Sequence, residues 1–450
     1  MKKIIALALS LLLVFSCMQL AAAEGTEPVT IRVWSNDAHS KPVFTEFVEK
    51  FNNGPGKDLG IIIDLQVFGT DYYSVLDVTL NNPDTSGAPH IFKCNKIPQY
   101  ARAGMLACLE DLPGGDELIA PYKEKNSEGV GLVDGKTYAL PFKATTVGLA
   151  YNTELFEQLG LEFPKTWEEM EHCASVITEN GNGLVYGYGL GMTYVSYPLF
   201  FILPPASATT GRMHFDNSIG RYNFSALAPY MKHVLRMIDN GDMFPGYETM
   251  DDDTKRAQFA EGNIGMIPVF SPDVGVLTTQ FPSKHEWAVG PYPTETEDVR
   301  YRMYSNPSTF YVVNQKTLGG LEDKVMAVMN ALLSEENLLT LFEEEKDMIT
   351  RDDVKAKSTK TEVSPQWKAF GDGSYRYTGF GSPDGLLQLE GPTYKEVFDQ
   401  ILTGLVDVDE ALADLDARYN KALDEAIASG SLKIEDYIVE NLDAIVAMGD

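Results

Sequence analysis

The chain has 450 residues, with 36 Lys and Arg against 65 Asp and Glu, a formal charge of −29 and a sequence pI near 4.5. Its length admits two or three domains that each bury a core, and 44% hydrophobic with 22% charged residues excludes a disordered or fibrous chain. The acidic balance argues against nucleic acid as the main partner, because phosphate binding needs Lys and Arg to displace counterions, and against attraction to anionic lipid.

Met1-Lys2-Lys3, the apolar run from Ile4 to Ser16 and Ala21-Ala22-Ala23 read as a charged n-region, an h-region and a small-residue cleavage site. A secretory signal over residues 1–23 makes the chain an exported one. The run is about 13 residues, short of the roughly 20 that a membrane-spanning helix needs. A second processing pattern competes: Val14-Phe15-Ser16-Cys17 is a loose lipobox, with Phe15 a poor fit, and would leave Cys17 acylated as a lipid anchor. Cys94, Cys108 and Cys173 lie beyond it. The spacing of the first two permits a disulfide without establishing one, and small buried thiols are expected for all three.

Thr30 to Trp34 alternates as a strand and runs into the polar loop Ser35 to His39. Val43, Phe44, Phe47, Val48 and Phe51 fall at helical spacing. Ile61 to Phe68 is a second strand, Asp71 to Leu80 a second helix and His90 to Phe92 a third strand. Strand, helix, strand, helix, strand predicts a parallel sheet covered by helices. Ligands bind such sheets beyond the carboxyl ends of the strands, which brings Ser35 to His39, Gly69-Thr70 and Lys93 to Lys96 to one rim.

Pro113 to Asp134 shows no clear period, Gly135 to Phe142 reads as extended and Thr146 to Tyr151 as a strand. Thr166 and Glu169 form a capping box at a helix start. Ala226 to Ile238, Lys324 to Phe342 and Val408 to Ala428 are helical, the second as one long amphipathic helix. No fixed-period repeat is present, which excludes a solenoid.

Gly135-Lys136-Thr137 is not a P-loop, since Val130 stands where the motif needs glycine. Gly187 to Gly191 lacks the third glycine of a dinucleotide site. There is no His-Glu-x-x-His, Gly-x-Ser-x-Gly or Cys-x-x-Cys, and the six His lie apart. The runs Asp251-Asp252-Asp253 and Glu343-Glu344-Glu345 read as solvated faces, because glycosidase carboxylates come from separate elements. Asp407 to Glu410 reads as a helix N-terminus rather than half a calcium loop. No catalytic residue, metal site or cofactor is expected.

Asp134 to Phe142 (DGKTYALPF), Gly148 to Phe156 (GLAYNTELF) and Pro164 to Glu169 (PKTWEE) resemble the bacterial extracellular solute-binding proteins of family 1, receptors of ABC importers of the maltodextrin-binding type. Tyr100 to Leu112, Phe259 to Pro268, Trp287 to Pro293 and Asp409 to Leu423 keep the family order, so the resemblance spans nearly all of the mature chain. Pro204 to Tyr222 and Asp352 to Leu387 depart from the pattern. The resemblance implies an α/β, two-lobed periplasmic-binding-protein fold with a hinge and an interlobe ligand cleft. Its first lobe would comprise 28–142 and 311–348, its second 146–307 and 350–450. Crossings are expected near Phe142 to Thr146, Pro307 to Phe310 and the end of the Lys324 helix.

Function follows from the same resemblance: a non-catalytic, monomeric receptor outside the cytoplasmic membrane, carrying a mono- or oligosaccharide to the importer's membrane subunits. The same fold binding a polyamine, a glycerophosphate-type compound or a metal complex is the alternative, and a secreted carbohydrate-active enzyme the more distant one. By correspondence, ligand contacts fall on Asn36, Asp37 and His39 after the first strand and on Asn95 and Lys96 after the third. Lys143 and Thr145 lie at the first crossing, and Tyr304, Asn306 and Ser308 at the second. Tyr194, Tyr197 and Phe270 are the aromatic surface of the second lobe, while Trp367 and Arg376 lie in the departing segment.

Overall fold

The computed structural model describes residues 27–448 except 70, 195, 299, 309 and 372. The signal segment 1–23 and Cys17 lie outside the described residues. Two four-stranded sheets carry the architecture, joined by a third. In the first sheet Val29–Ser35 pairs in parallel with Ile61–Val67 and Ile91–Cys94, and Phe310–Val313 adds an antiparallel edge against Ile91–Cys94. The predicted parallel unit is present, and the fourth strand that makes the sheet mixed comes from far along the chain.

Side chains alternate across this sheet. Ile31, Val33, Ile91 and Val313 pack in one core cluster with Phe44 and the helix Glu322–Leu332. Trp34, Phe92 and Val312 pack in another, with Tyr72, Leu76 and Leu80 of the helix Tyr72–Asn81. The second sheet has the order Trp287–Gly290, Val147–Asn152, Ile264–Phe270, Tyr186–Tyr188. Leu149 and Ala150 face opposite clusters of its core. Residues 27–142 and 310–343 thus supply the core of one lobe, and most of the remaining chain that of the other. Ile349 and Val354 pack with the first lobe's core, while Met348 and Trp367 pack with the second's.

The joining sheet consists of Met348–Ile349, Lys143–Thr145, Met303–Ser308 and Arg376–Thr378, in that order. Its register sets Thr145 opposite Asn306, and Ala144 opposite both Pro307 and Met348. Thr145 and Asn306 therefore share one face, and Ala144 lies on the other.

Three local features differ from expectation. Lys324 to Phe342 is two helices, Glu322–Leu332 and Glu335–Glu343, because Ser334 leaves helical geometry and caps the second by accepting the Asn337 N–H. The extended reading of Gly135 to Phe142 reduces to the strand Lys136–Thr137. It pairs with Leu132–Val133 across Asp134-Gly135, whose positive φ values (53° and 75°) make the two-residue hairpin turn that such a pair favours. Finally, Asp252 is no solvated acid: its side chain is 12% exposed and pairs with Lys255 and Arg256 at 2.5 and 2.7 Å.

Candidate functional site

At the carboxyl end of Val29–Ser35 the chain turns through Asn36 and Asp37. Asp37 is 2% exposed, ion-paired to Lys93 and 3.3 Å from the Lys143 Nζ. Lys143 is also buried and donates to Asp347 Oδ2 at 2.8 Å. Asp347 in turn meets His39 Nε2 at 3.1 Å and accepts from the Ser40 hydroxyl. The Lys143 ammonium lies 5.4 Å from the Phe142 ring centroid and 5.6 Å from that of Phe44, where ring quadrupoles favour a cation.

Burial alone would raise the Asp37 and Asp347 pKa values, yet both fall. Lys143 and Lys93 hold Asp37 far below the carboxylate range, while Lys143 and His39 hold Asp347 at about 2. For Lys143, burial lowers the pKa and the two carboxylates more than reverse it. Asp37, His39 and Lys143, expected as ligand contacts, are thus brought together as an internally matched network that ties the first strand to the joining sheet. Sequence reasoning missed its other members, Ser40, Lys93 and Asp347. Lys93 lies within the rim loop named above, whereas nothing local marks Asp347.

A second group faces the gap between the lobes. Tyr72 donates to the carbonyls of Lys93 (2.7 Å) and Trp34 (3.3 Å), anchoring its helix over the strand ends. The next residue, Tyr73, stacks edge-on against Tyr72 at 4.9 Å and is half-buried. Burial, Asp37, Cys94 and then Tyr194 of the other lobe push its phenol upward, and a hydrogen bond with Asn36 opposes them. Sequence reasoning did not single out Tyr73; its place shortly after Gly69-Thr70, a loop assigned to the rim, was the available signal.

From the second lobe, Tyr194 meets Phe270 edge-on at 5.9 Å and stacks on Phe200 at 6.4 Å, while Phe201 packs on Phe270 at 4.7 Å. Phe270 is the last residue of Ile264–Phe270, and its N–H donates to Asp273 at 2.8 Å. Asp273 pairs with Arg256 at 2.6 Å, and Arg256 also reaches Asp252. This ion network braces the loop that bears the aromatic wall.

The remaining expected residues divide between the core, the first lobe's surface and the two faces of the joining sheet. Tyr197 is a core residue, fully buried with its hydroxyl donating to Asp399 at 2.7 Å. Trp367 is 1% exposed against Phe342. Tyr304 is buried edge-on to Tyr377 at 5.9 Å. These three aromatics answer the demand for apolar burial, as does Phe270 at 7% exposed. Lys96 pairs with Asp77 at 2.6 Å on the first lobe's surface beside an exposed Asn95. Arg376 donates to the carbonyls of Ala369, Phe370 and Val147 on the far face of the joining sheet. Thr145 and Asn306 are half-buried on the face that carries Lys143, and Ser308 lies opposite Lys143 in the register. Among the described residues, no group of three His, Cys, Asp or Glu is placed to hold a metal ion.

The chain is 24% identical over 348 residues to a binding protein of Brucella abortus strain 2308, covering 77% of this chain and 78% of that one. Its fold matches the GacH receptor of Streptomyces glaucescens, described unliganded and with acarbose, at a TM-score of 0.69 and 17% identity, over 88% of this chain and 98% of that one. It also matches RafE in complex with raffinose at a TM-score of 0.67 and 16% identity, over 88% and 99%. The profile of the bacterial extracellular solute-binding proteins matches residues 37–338. The chain therefore belongs to the bacterial extracellular solute-binding proteins, the exported receptors of ABC importers.

Proposed function

We propose that the solute is a mono- or oligosaccharide, enclosed between the two lobes by a monomeric receptor and passed to the importer's membrane subunits. One observation carries this reading: half-buried Tyr73, beside Asn36 on the first lobe, and half-buried Tyr194 on the second lie close enough for one phenol to perturb the other. Sugars present C–H faces and hydroxyl rims, and such a site offers ring faces beside amide and phenol groups that donate and accept. Two structural relatives were described with raffinose and acarbose, which supports the class. The lobes are taken as 28–142 with 311–348 and 146–307 with 350–450, and Val354, inside the last of these ranges, packs against the first lobe's core.

The role is binding without turnover. Glycoside hydrolysis needs two carboxylates across the scissile bond, and Asp37, in the loop after the first strand, is neutralised by two lysines. The test is a thermal-shift screen with mono- and oligosaccharides, polyamines and glycerophosphate-type compounds, since a ligand of the native state raises apparent stability. At least one saccharide is expected to shift the melt, without new reducing ends on prolonged incubation. A shift given only by a non-sugar replaces the saccharide, and new reducing ends would show an enzyme.

A further inference from the structure

A cavity of about 330 Å³ lies on the face of the joining sheet opposite Lys143 and Thr145. Ala144 belongs to its floor, which the register turns away from the ligand gap. Among its described lining residues are four cations, Lys125, Arg302, Lys355 and Arg376, against one carboxylate, Asp352. That local excess of positive charge stands on a chain of formal charge −29. Asp352 is shared by two ammonium groups, pairing with Lys125 and, at 2.6 Å, with Lys355. The guanidinium of Arg376 is held in orientation by three backbone carbonyls.

Three other polar groups of the same lining are buried with no partner in the protein: Arg302 Nε, Thr146 Oγ1 and Ser305 Oγ. Thr146 and Ser305 are only 5% and 4% exposed. Buried donors without partners are rare in folded proteins. A planar guanidinium beside hydroxyl and ammonium donors matches the oxygens of a phosphate or carboxylate. The lining also draws on both lobes, since Lys355 lies one residue from Val354 of the first core and Phe370 belongs to the second.

We propose that this cavity is a second binding site, specific for a small multivalent oxyanion and separate from the solute cleft. Because the occupant would touch both lobes, its affinity is linked to their relative position, and by reciprocity it shifts the affinity of the cleft.

The test is isothermal titration calorimetry of the purified protein with pyrophosphate and, separately, citrate, at constant ionic strength in chloride. Saturable binding of one anion at a single site, with Kd below about 1 mM, is expected. Arg302→Gln should weaken it at least about tenfold, the loss of one charge-assisted hydrogen bond. Lys355→Gln, at a partly exposed side chain, should weaken it as well, while Lys232→Gln, which removes a distant surface charge, should not. Preference for pyrophosphate assigns the phosphate class and preference for citrate the polycarboxylate class. Absence of saturable binding by either anion overturns the proposal. So does binding that survives both cavity substitutions in variants whose thermal melts remain cooperative, or that weakens equally in Lys232→Gln.

Discussion

Lys143 sits 1% exposed between Asp37 and Asp347, and its worth lies in what its removal would strand. Lys143→Met keeps the length of the side chain but leaves two buried carboxylates short of charge. Breaking a buried pair from one side costs about 3–5 kcal/mol, so the urea midpoint should fall by that equivalent with the slope unchanged. A loss below about 0.5 kcal/mol, the range of ordinary surface substitutions, would remove the network from the list of stabilising units. Asp347 adds a pH signature. Its folded pKa of about 2 lies below the ordinary 3.8, so its contribution is complete above about pH 4 and is lost as pH falls through about 2. Asp347→Asn should therefore flatten the acid limb of stability between these values while lowering stability at neutral pH; an unchanged limb would assign acid unfolding to other groups. Asp37, His39 and Lys143 were legible as a cluster through family order, but their mutual satisfaction was not. Charge pairing depends on Asp347, which lies far along the chain and is delivered by the third crossing. The three cysteines behave as expected from their type: all are buried and unbridged, and burial pushes Cys108 and Cys173 up to about 11.

Helix ends show where sequence pattern reaches and where it stops. At Thr166 both halves of the capping box form, Thr166 accepting the Glu169 N–H and Glu169 accepting the Thr166 N–H; both partners lie within three residues, so the pattern was readable. The break at Ser334 escaped because Val325, Val328, Met329, Leu332, Leu338 and Leu341 keep apolar character across it. Only the cap reveals the division: Ser334 Oγ accepts from the Asn337 N–H at 3.3 Å, and Asn337 Nδ2 reaches back to the Leu332 carbonyl at 2.6 Å. Ser334→Ala removes the first bond and leaves the second. A loss of about 1 kcal/mol is expected, against no more than a few tenths for Ser334→Gly, both read from denaturant midpoints. If the alanine variant matched the wild type, the Asn337 bond and core packing would be sufficient to hold the break. Strands followed the same rule. Val29–Ser35, Ile61–Val67 and Val147–Asn152 announce themselves by composition, whereas the two-residue strand Met348–Ile349 exists only through its neighbours.

The interleaving of the two lobes is the property furthest from local sequence. Phe310–Val313 lies beside Ile91–Cys94, and Arg376–Thr378 beside Met303–Ser308; no periodicity encodes such pairings, and while family order implied the return of the chain to the first lobe, Arg376–Thr378 falls in the segment that departs from the family pattern. The joining sheet gathers strands from every crossing into one unit, leaving lobe motion to be absorbed at strand ends, as in hinge closure between rigid bodies. On the proposed reading, a saccharide bridging Tyr73 and Tyr194 would favour the closed arrangement by its differential affinity, and converting a 1% closed population to 99% takes about 5.5 kcal/mol. Solution scattering gives the direct readout: saturating saccharide should reduce the radius of gyration. Tyr194→Ala removes the stacking face of the second lobe and leaves the joining sheet intact. It should need at least about tenfold more saccharide for the same compaction, since an aromatic contact of this kind contributes about 1.5–3 kcal/mol on burial. Its ligand-free scattering should match the wild type. Tight binding without compaction would show that recognition is completed within one lobe, and a variant already compact without ligand would place Tyr194 among the contacts that keep the lobes apart.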